Sequence, residues 1–235
     1  MGTQSPLLLA GLADCAAAAV AGLDELFARA RAHVAARVCS QGEILLDEFE
    51  LSQHVTHGLA WFSTYVETLR ALAGYVERLL AAGRLGELEG LLVQSAFAEY
   101  LDQILGGIPM NQGEFVRPDE FGISRRDGLR FAEGAASPFL GRGSAAAVRA
   151  RVVALMCEAD GVATFGDCAL DDTLDRMRAE MRRFADASIR PIAHDIHRSN
   201  GYVPLELIGE LARLGVFALT VPESYGGMGL GKVAM

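Results

Sequence analysis

Apolar residues recur at three- and four-residue intervals through most of this chain, the spacing that gives a helix one apolar face. Residues 13–38 predict a long helix, with Leu23, Leu26, Phe27, Ala30 and Val34 on one face and Gly42 shortly after its end. Residues 44–82 predict a second long helical stretch through Leu59, Phe62, Val66, Leu69, Ala73, Val76 and Leu80, with a kink expected at His57 and Gly58. Residues 87–105 predict a third, closed by Gly106 and Gly107. The stripe Trp61, Phe62, Tyr65 and Leu69 sits at helical spacing and reads as core rather than as a ligand cleft.

The periodicity then vanishes. Residues 108–142 mix prolines, glycines and charge, and predict a long irregular connection. Helix resumes over residues 144–157, with Ser144 in place as an N-cap. The stretch "EADGVATFGDC" breaks it, and the domain boundary is expected near Asp160 to Asp167, dividing residues 1–165 from 166–235. A charged helix follows over residues 170–197, ended by Asn200 and Gly201. A short one over residues 204–214 starts on a proline. Two-residue alternation is almost absent. Its nearest candidate, "VFALTV", is too short to carry a sheet alone. The expected fold class is all-α.

Composition narrows the class. The 235 residues are 51% hydrophobic and 22% charged, the balance of a globular protein with a real core. A net charge of −9 with no basic face argues against a nucleic-acid partner. Cys15, Cys39, Cys157 and Cys168 form no CxxC pair, so reduced thiols in a cytoplasmic protein are expected rather than a disulfide framework or a zinc site. The apolar run at residues 7–13 is short, and no Lys or Arg precedes it. It fits neither a secretory signal nor a membrane span. Pro6 stands where a myristoylation signal needs Ser or Thr.

Three clusters carry possible chemistry. Asp171, Asp172 and Asp175 form "DDTLD", a spacing that can hold magnesium as in isoprenoid synthases. Acidic residues also favour the first turn of a helix, and no basic diphosphate clamp accompanies these. His54 with His57, and His194 with Asp195 and His197, each place two imidazoles about one turn apart, but no further ligand stands at metal spacing. These histidines read as solvated or capping residues. "LTVPESYGGMGL", residues 219–230, has the glycines of a phosphate loop but no preceding strand-rich context and no lysine in place; Lys232 comes late. It reads as a tight reversal between two helices, with Tyr225 and Leu230 anchoring it in apolar surface.

In its wider setting that stretch is specific. "RRFADASIRPIAHDIHRSNGYVPLELIGELARLGVFALTVPESYGGMGL", residues 182–230, resembles the start of the N-terminal helical domain of the acyl-CoA dehydrogenases. Phe184, Pro191, Ala193, Asp195, Pro204, Leu211, Gly215, Pro222, Glu223, Tyr225, Gly226, Gly227, Gly229 and Leu230 stand at fitting positions. About 165 residues precede this domain, as in one subgroup of the family. They resemble a helical bundle related to the family's own C-terminal domain. "QILGG", residues 103–107, is similar to the QxxGG of that domain, which in ordinary members touches the FAD of a neighbouring subunit. The resemblance therefore marks Gln103, Gly106 and Gly107 as cofactor-binding candidates or as a relic, since Ile108 and Pro109 replace the usual continuation.

The resemblance implies α,β-dehydrogenation of an acyl-CoA. A glutamate takes the α-proton, a β-hydride leaves to FAD, and electrons pass to an electron-transfer flavoprotein. It also implies a homodimer, because an extension that imitates a C-terminal bundle would cover the surface through which ordinary dimers pair. The chain reaches only part of the first catalytic domain, so no residue here is assigned as catalytic. Glu99 belongs to the extension and reads as a surface or paired residue. On this reading the chain alone neither holds FAD tightly nor turns over. The competing reading is a non-catalytic all-α interaction domain.

Overall fold

The structure is a computed structural model that describes residues 6–159 and 165–235. Contacts divide the chain into two compact units, Met1–Ala169 and Leu170–Met235. Residues 160–164, where the sequence places part of its boundary, lie outside the described residues.

The first unit is built on helices α1 (Leu12–Val38), α3 (Gln53–Ala81) and α4 (Glu87–Gly106). Along α1, Ala16, Ala19 and Ala30 alternate with Leu23, Leu26 and Val34 on a fully buried face. The alanines let α3 approach closely, and Phe62, Val66, Leu69 and Val76 fill the space between. Phe62 meets Phe27 edge-on at 5.4 Å and Phe121 at 5.7 Å. On α4, Phe97 stacks on Phe139 at 4.6 Å between centroids. The apolar run near the N-terminus is part of this core: Leu8 and Leu9 pack against it. The buried Gln94 of α4 straps the segment down, accepting from Leu9 N at 2.8 Å and donating to Leu7 O at 3.1 Å.

The all-α expectation holds, and several details differ from the sequence reading. Residues 44–82 are not one stretch. A two-residue hairpin, β1 (Cys39–Ser40) with β2 (Glu43–Ile44), and a short helix α2 (Leu46–Leu51) precede α3. Helix α3 runs unbroken through His57 and Gly58. Gly58 is there for close approach: a Cβ would stand 2.7 Å from both Val116 methyls. Residues 108–142 are also more regular than expected. Strands β3 (Ile108–Asn111) and β4 (Glu114–Val116) pair antiparallel, a 3-10 turn follows at Pro118–Phe121, and then comes helix α5 (Arg125–Glu133). Buried Ile108, Met110 and Val116 do alternate, but over too few residues to register as a pattern. Ser144 is not a cap. Helix α6 (Ala146–Glu158) starts on Ala145 without a side-chain cap. Ser124 is one instead, accepting from Asp127 N at the start of α5.

In the second unit, α7 (Asp172–Phe184) passes through a π turn (Ala185–Ile189) into α8 (Arg190–Ser199). The single helix expected over residues 170–197 is thus interrupted. Pro191 has no N–H to return to the preceding turn, and the wider π spacing is one way a helix absorbs that loss. Asn200 ends α8 in the left-handed conformation at φ 53°. Helix α9 (Leu205–Arg213) follows Pro204. Among the described residues of this unit only Leu207 is fully buried, while Tyr202, Leu205, Phe217 and Val233 stand largely exposed.

Gly58 offers a direct stability test. In an open helix Gly→Ala gains about 0.5–1 kcal/mol. Here Gly58→Ala is expected to cost about 1–3 kcal/mol by overpacking against Val116. Urea unfolding checks the sign, and Val116→Ala in the same chain should recover most of the loss.

Candidate functional site

The candidate cofactor residues sit at the C-terminal end of α4. Gln103 is half-buried, and its Oε1 accepts from Tyr65 OH at 2.6 Å. Its carbonyl accepts from Gly107 N at 2.7 Å, which closes the helix. The Gly106 carbonyl accepts from the Arg117 guanidinium, which also lies 5.4 Å from the Phe115 ring centroid. Tyr65 stands edge-on to Tyr100 at 4.6 Å, and burial, with Tyr100 adding to it, raises its phenol above the ordinary value. Trp61 stacks edge-on to Tyr65 and donates to His57 Nε2 at 3.1 Å. The expected core stripe is therefore also the wall that orients Gln103. Asp102 beside it is raised by burial and then by Glu99.

Next to this helix end lies an open cleft of about 520 Å³. Leu105, Ile123, Leu129 and Ala132 make it apolar, and Arg117 and Arg125 lie at its polar side. Gly106 lines it, whereas Gln103 and Gly107 do not. Of the three candidates, one faces the cleft and the others are committed to closing α4. The amide oxygen of Gln103 and the carbonyl of Gly106 each already have a partner within the unit. Ser124 donates to Asp127 Oδ2 at 2.6 Å, but that pair caps α5. The sequence reading passed over Ser124, Asp127 and Arg117. The Ser-x-x-Asp capping spacing was the available signal for the first two; Arg117 had none.

The other clusters resolve into local roles. Asp171 caps α7, accepting from Thr173 N and Leu174 N at 2.9 Å each. His54 lies between two carboxylates, with Nδ1 3.3 Å from Glu114 and Nε2 3.1 Å from Glu120. His194 and His197 lie on α8, close to its C-terminal end. Among the described residues, no group of three or more His, Cys, Asp or Glu is placed to hold a metal ion.

The glycine-rich stretch doubles the chain back on itself. Met228, Gly229 and Leu230 donate to the carbonyls of Ala218, Val221 and Leu219 at 2.8–2.9 Å. A Cβ on Gly227 would collide with the Val221 carbonyl, so this position admits only glycine. Tyr225 does not anchor the turn; it is 83% exposed, because the 3-10 turn Glu223–Tyr225 points it outward. Leu230 is half-buried. No helix of the described residues is long and apolar enough to cross a membrane.

Comparison with known proteins identifies the domain that holds this reversal. Residues 171–235 match the acyl-CoA dehydrogenase N-terminal domain family, covering nearly all of the second unit. The second unit thus carries the acyl-CoA dehydrogenase N-terminal domain. The chain is 42% identical over 228 residues to (2S)-methylsuccinyl-CoA dehydrogenase of Cereibacter sphaeroides, an alignment covering 97% of this chain and 41% of that protein. The chain thus spans about two fifths of that relative's length.

Three substitutions test the assignments above. Asp171→Ala should cost the second unit about 1 kcal/mol, whereas Asp171→Asn, an equally good cap, should cost almost nothing. Magnesium should not change either result, as read by the exchange of amides in the first turn of α7. Asp127 is held below the ordinary carboxylate value chiefly by the Ser124 hydroxyl and also by Arg29. Its contribution is therefore fully present above about pH 4 and lost as pH falls through its depressed value. Asp127→Asn should flatten that acid-side fall in stability, followed by urea midpoints between about pH 5 and pH 2.

Proposed function

We propose that this chain is the front part of an FAD-dependent oxidoreductase that converts (2S)-methylsuccinyl-CoA to mesaconyl-CoA in the ethylmalonyl-CoA pathway. One observation carries the reading. The 42% identity spans both units, so it includes the long extension and not only the domain shared across the family. Electrons pass from the flavin to an electron-transfer flavoprotein, and the protein acts in the cytoplasm as a homodimer.

The extension, residues 1–165, has a non-catalytic role in this reading. Its "QILGG" resembles a flavin-touching segment, yet Gln103 serves Tyr65 and Gly106 serves Arg117. We read Gln103, Gly106 and Gly107 as a relic that now closes α4 and supports the β3–β4 hairpin. No chemical step is assigned to a residue of this chain. The second unit supplies the opening helices of the domain, and the reversal at residues 219–230 follows α9.

The test uses the full-length protein that carries this chain. Purified, it is expected to be yellow and to reduce an artificial electron acceptor when given (2S)-methylsuccinyl-CoA. Absence of bound flavin overturns the cofactor reading. Flavin reduction by straight-chain acyl-CoA but not by methylsuccinyl-CoA overturns the substrate. Gln103→Ala should leave the flavin content and absorbance unchanged, and loss of flavin would overturn the relic.

A further inference from the structure

Asp167 is held by every polar group it possesses. Its N–H donates to Glu89 Oε1 at 2.8 Å, and its carbonyl accepts from Tyr75 OH at 2.5 Å. Its carboxylate takes Arg84 on both oxygens, Nη2 to Oδ1 at 3.1 Å and Nε to Oδ2 at 3.1 Å. Oδ1 also accepts from Ala169 N at 2.7 Å, which folds the chain over its own side chain. The three partners follow one another around the corner between α3 and α4. Tyr75 lies near the end of α3, Arg84 in the turn, and Glu89 in the first turn of α4. Glu89 is 9% exposed, an unusual burial for a carboxylate, and it accepts the Asp167 amide.

The backbone on either side is equally determined. Gly166 has φ 80° and Ala169 φ 52°, left-handed conformations that alanine seldom adopts unless its surroundings impose them. Residue 169 is the last of the first unit. A surface loop with no role gains nothing from a buried acid, a phenol and a bidentate arginine converging on one residue.

We propose that Tyr75, Arg84 and Glu89 form a latch on Asp167 that fixes the point on the first unit from which the chain runs into the second. Opening the latch would turn a fixed exit into a hinge at Gly166–Ala169. Burial, and after it the Glu89 carboxylate, pushes the Tyr75 phenol up to about 12, so it remains a proton donor at every working pH. The proposal is independent of the reading of the enzyme activity.

Hydrogen exchange on the whole chain tests it, read at the amides of Asp167 and Ala169. In the unmodified chain both are expected to exchange at least about tenfold more slowly than an unstructured segment. Tyr75→Phe with Arg84→Met should raise both rates about tenfold while amides in α1 and in the middle of α3 stay protected. The endoproteinase that cleaves before aspartate gives a second readout with a built-in control. It should cut before Asp171 and Asp172 in both proteins, but before Asp167 only in the variant. Free exchange at Asp167 in the unmodified chain overturns the latch. So does identical exchange and cleavage in the two proteins. Should the double variant lose the protection of α1, Tyr75→Phe alone, which removes one oxygen, is read by the same criteria.

Discussion

The α1–α3 seam is the constraint on which the rest of the first unit depends. Alanine at Ala16, Ala19 and Ala30 brings two long helices close, and Phe62 occupies the space that remains. Phe62 then serves as a hub. Phe27 on one helix and Phe121 in a loop both reach it, so the seam also fixes where the irregular part of the chain can lie. The same close-approach logic recurs at Gly58, where the absence of a side chain admits Val116 and seats the β3–β4 hairpin on α3. Small residues therefore decide the architecture, and large ones fill it.

This explains which features were readable in advance. The long helices carry the 3.6-residue signal over many turns, and α1 and α4 emerge from it with ends close to those expected, whereas α3 ends as expected but starts only at Gln53. The hairpin at residues 108–116 has three buried apolar positions, too few to distinguish alternation from chance. Ser144 and Ser124 illustrate a different limit. Both are serines ahead of helical segments, and only the second has an acid three residues on to complete the cap. The π turn before α8 follows from Pro191, but proline announces a break without saying how the ladder repairs it. Tyr225 shows the same gap between composition and geometry. Aromatic character suggested an anchor, whereas the 3-10 turn beneath it sets its direction.

At the candidate site, the motif was legible and its use was not. "QILGG" can be spotted by eye, but the partners that occupy it, Tyr65 and Arg117, come from 38 residues before Gln103 and 11 residues after Gly106. Tyr65 had been assigned to the core by its spacing, correctly, and its hydroxyl still reaches a polar partner at the edge of that core. A helical stripe identifies the buried face and leaves unstated what the polar tip of an amphipathic side chain will do. Recognition of a segment and knowledge of its function separate at this point.

The two units differ in how far they satisfy themselves. The first builds a large buried core on α1, α3 and α4, although Leu46, Leu51 and Val153 stand exposed on its shorter helices, and it pairs backbone ends: Gln94 straps the N-terminal segment, and Arg117 covers the carbonyl at the end of α4. The second keeps tyrosine, leucine and phenylalanine in solvent and buries little beyond Leu207. Its local features are nevertheless well made, with Asp171 capping α7 and Gly227 permitting the reversal. Local determinants of this kind form a helix and a turn without a completed core, because their partners lie within a few residues. Core burial needs partners distant in sequence. A segment can thus carry the most specific family signature in the chain while its apolar faces remain open, and a unit with the weaker signature can be the one with a finished core. Motif strength reports ancestry, burial reports physical independence, and in this chain the two point to different halves.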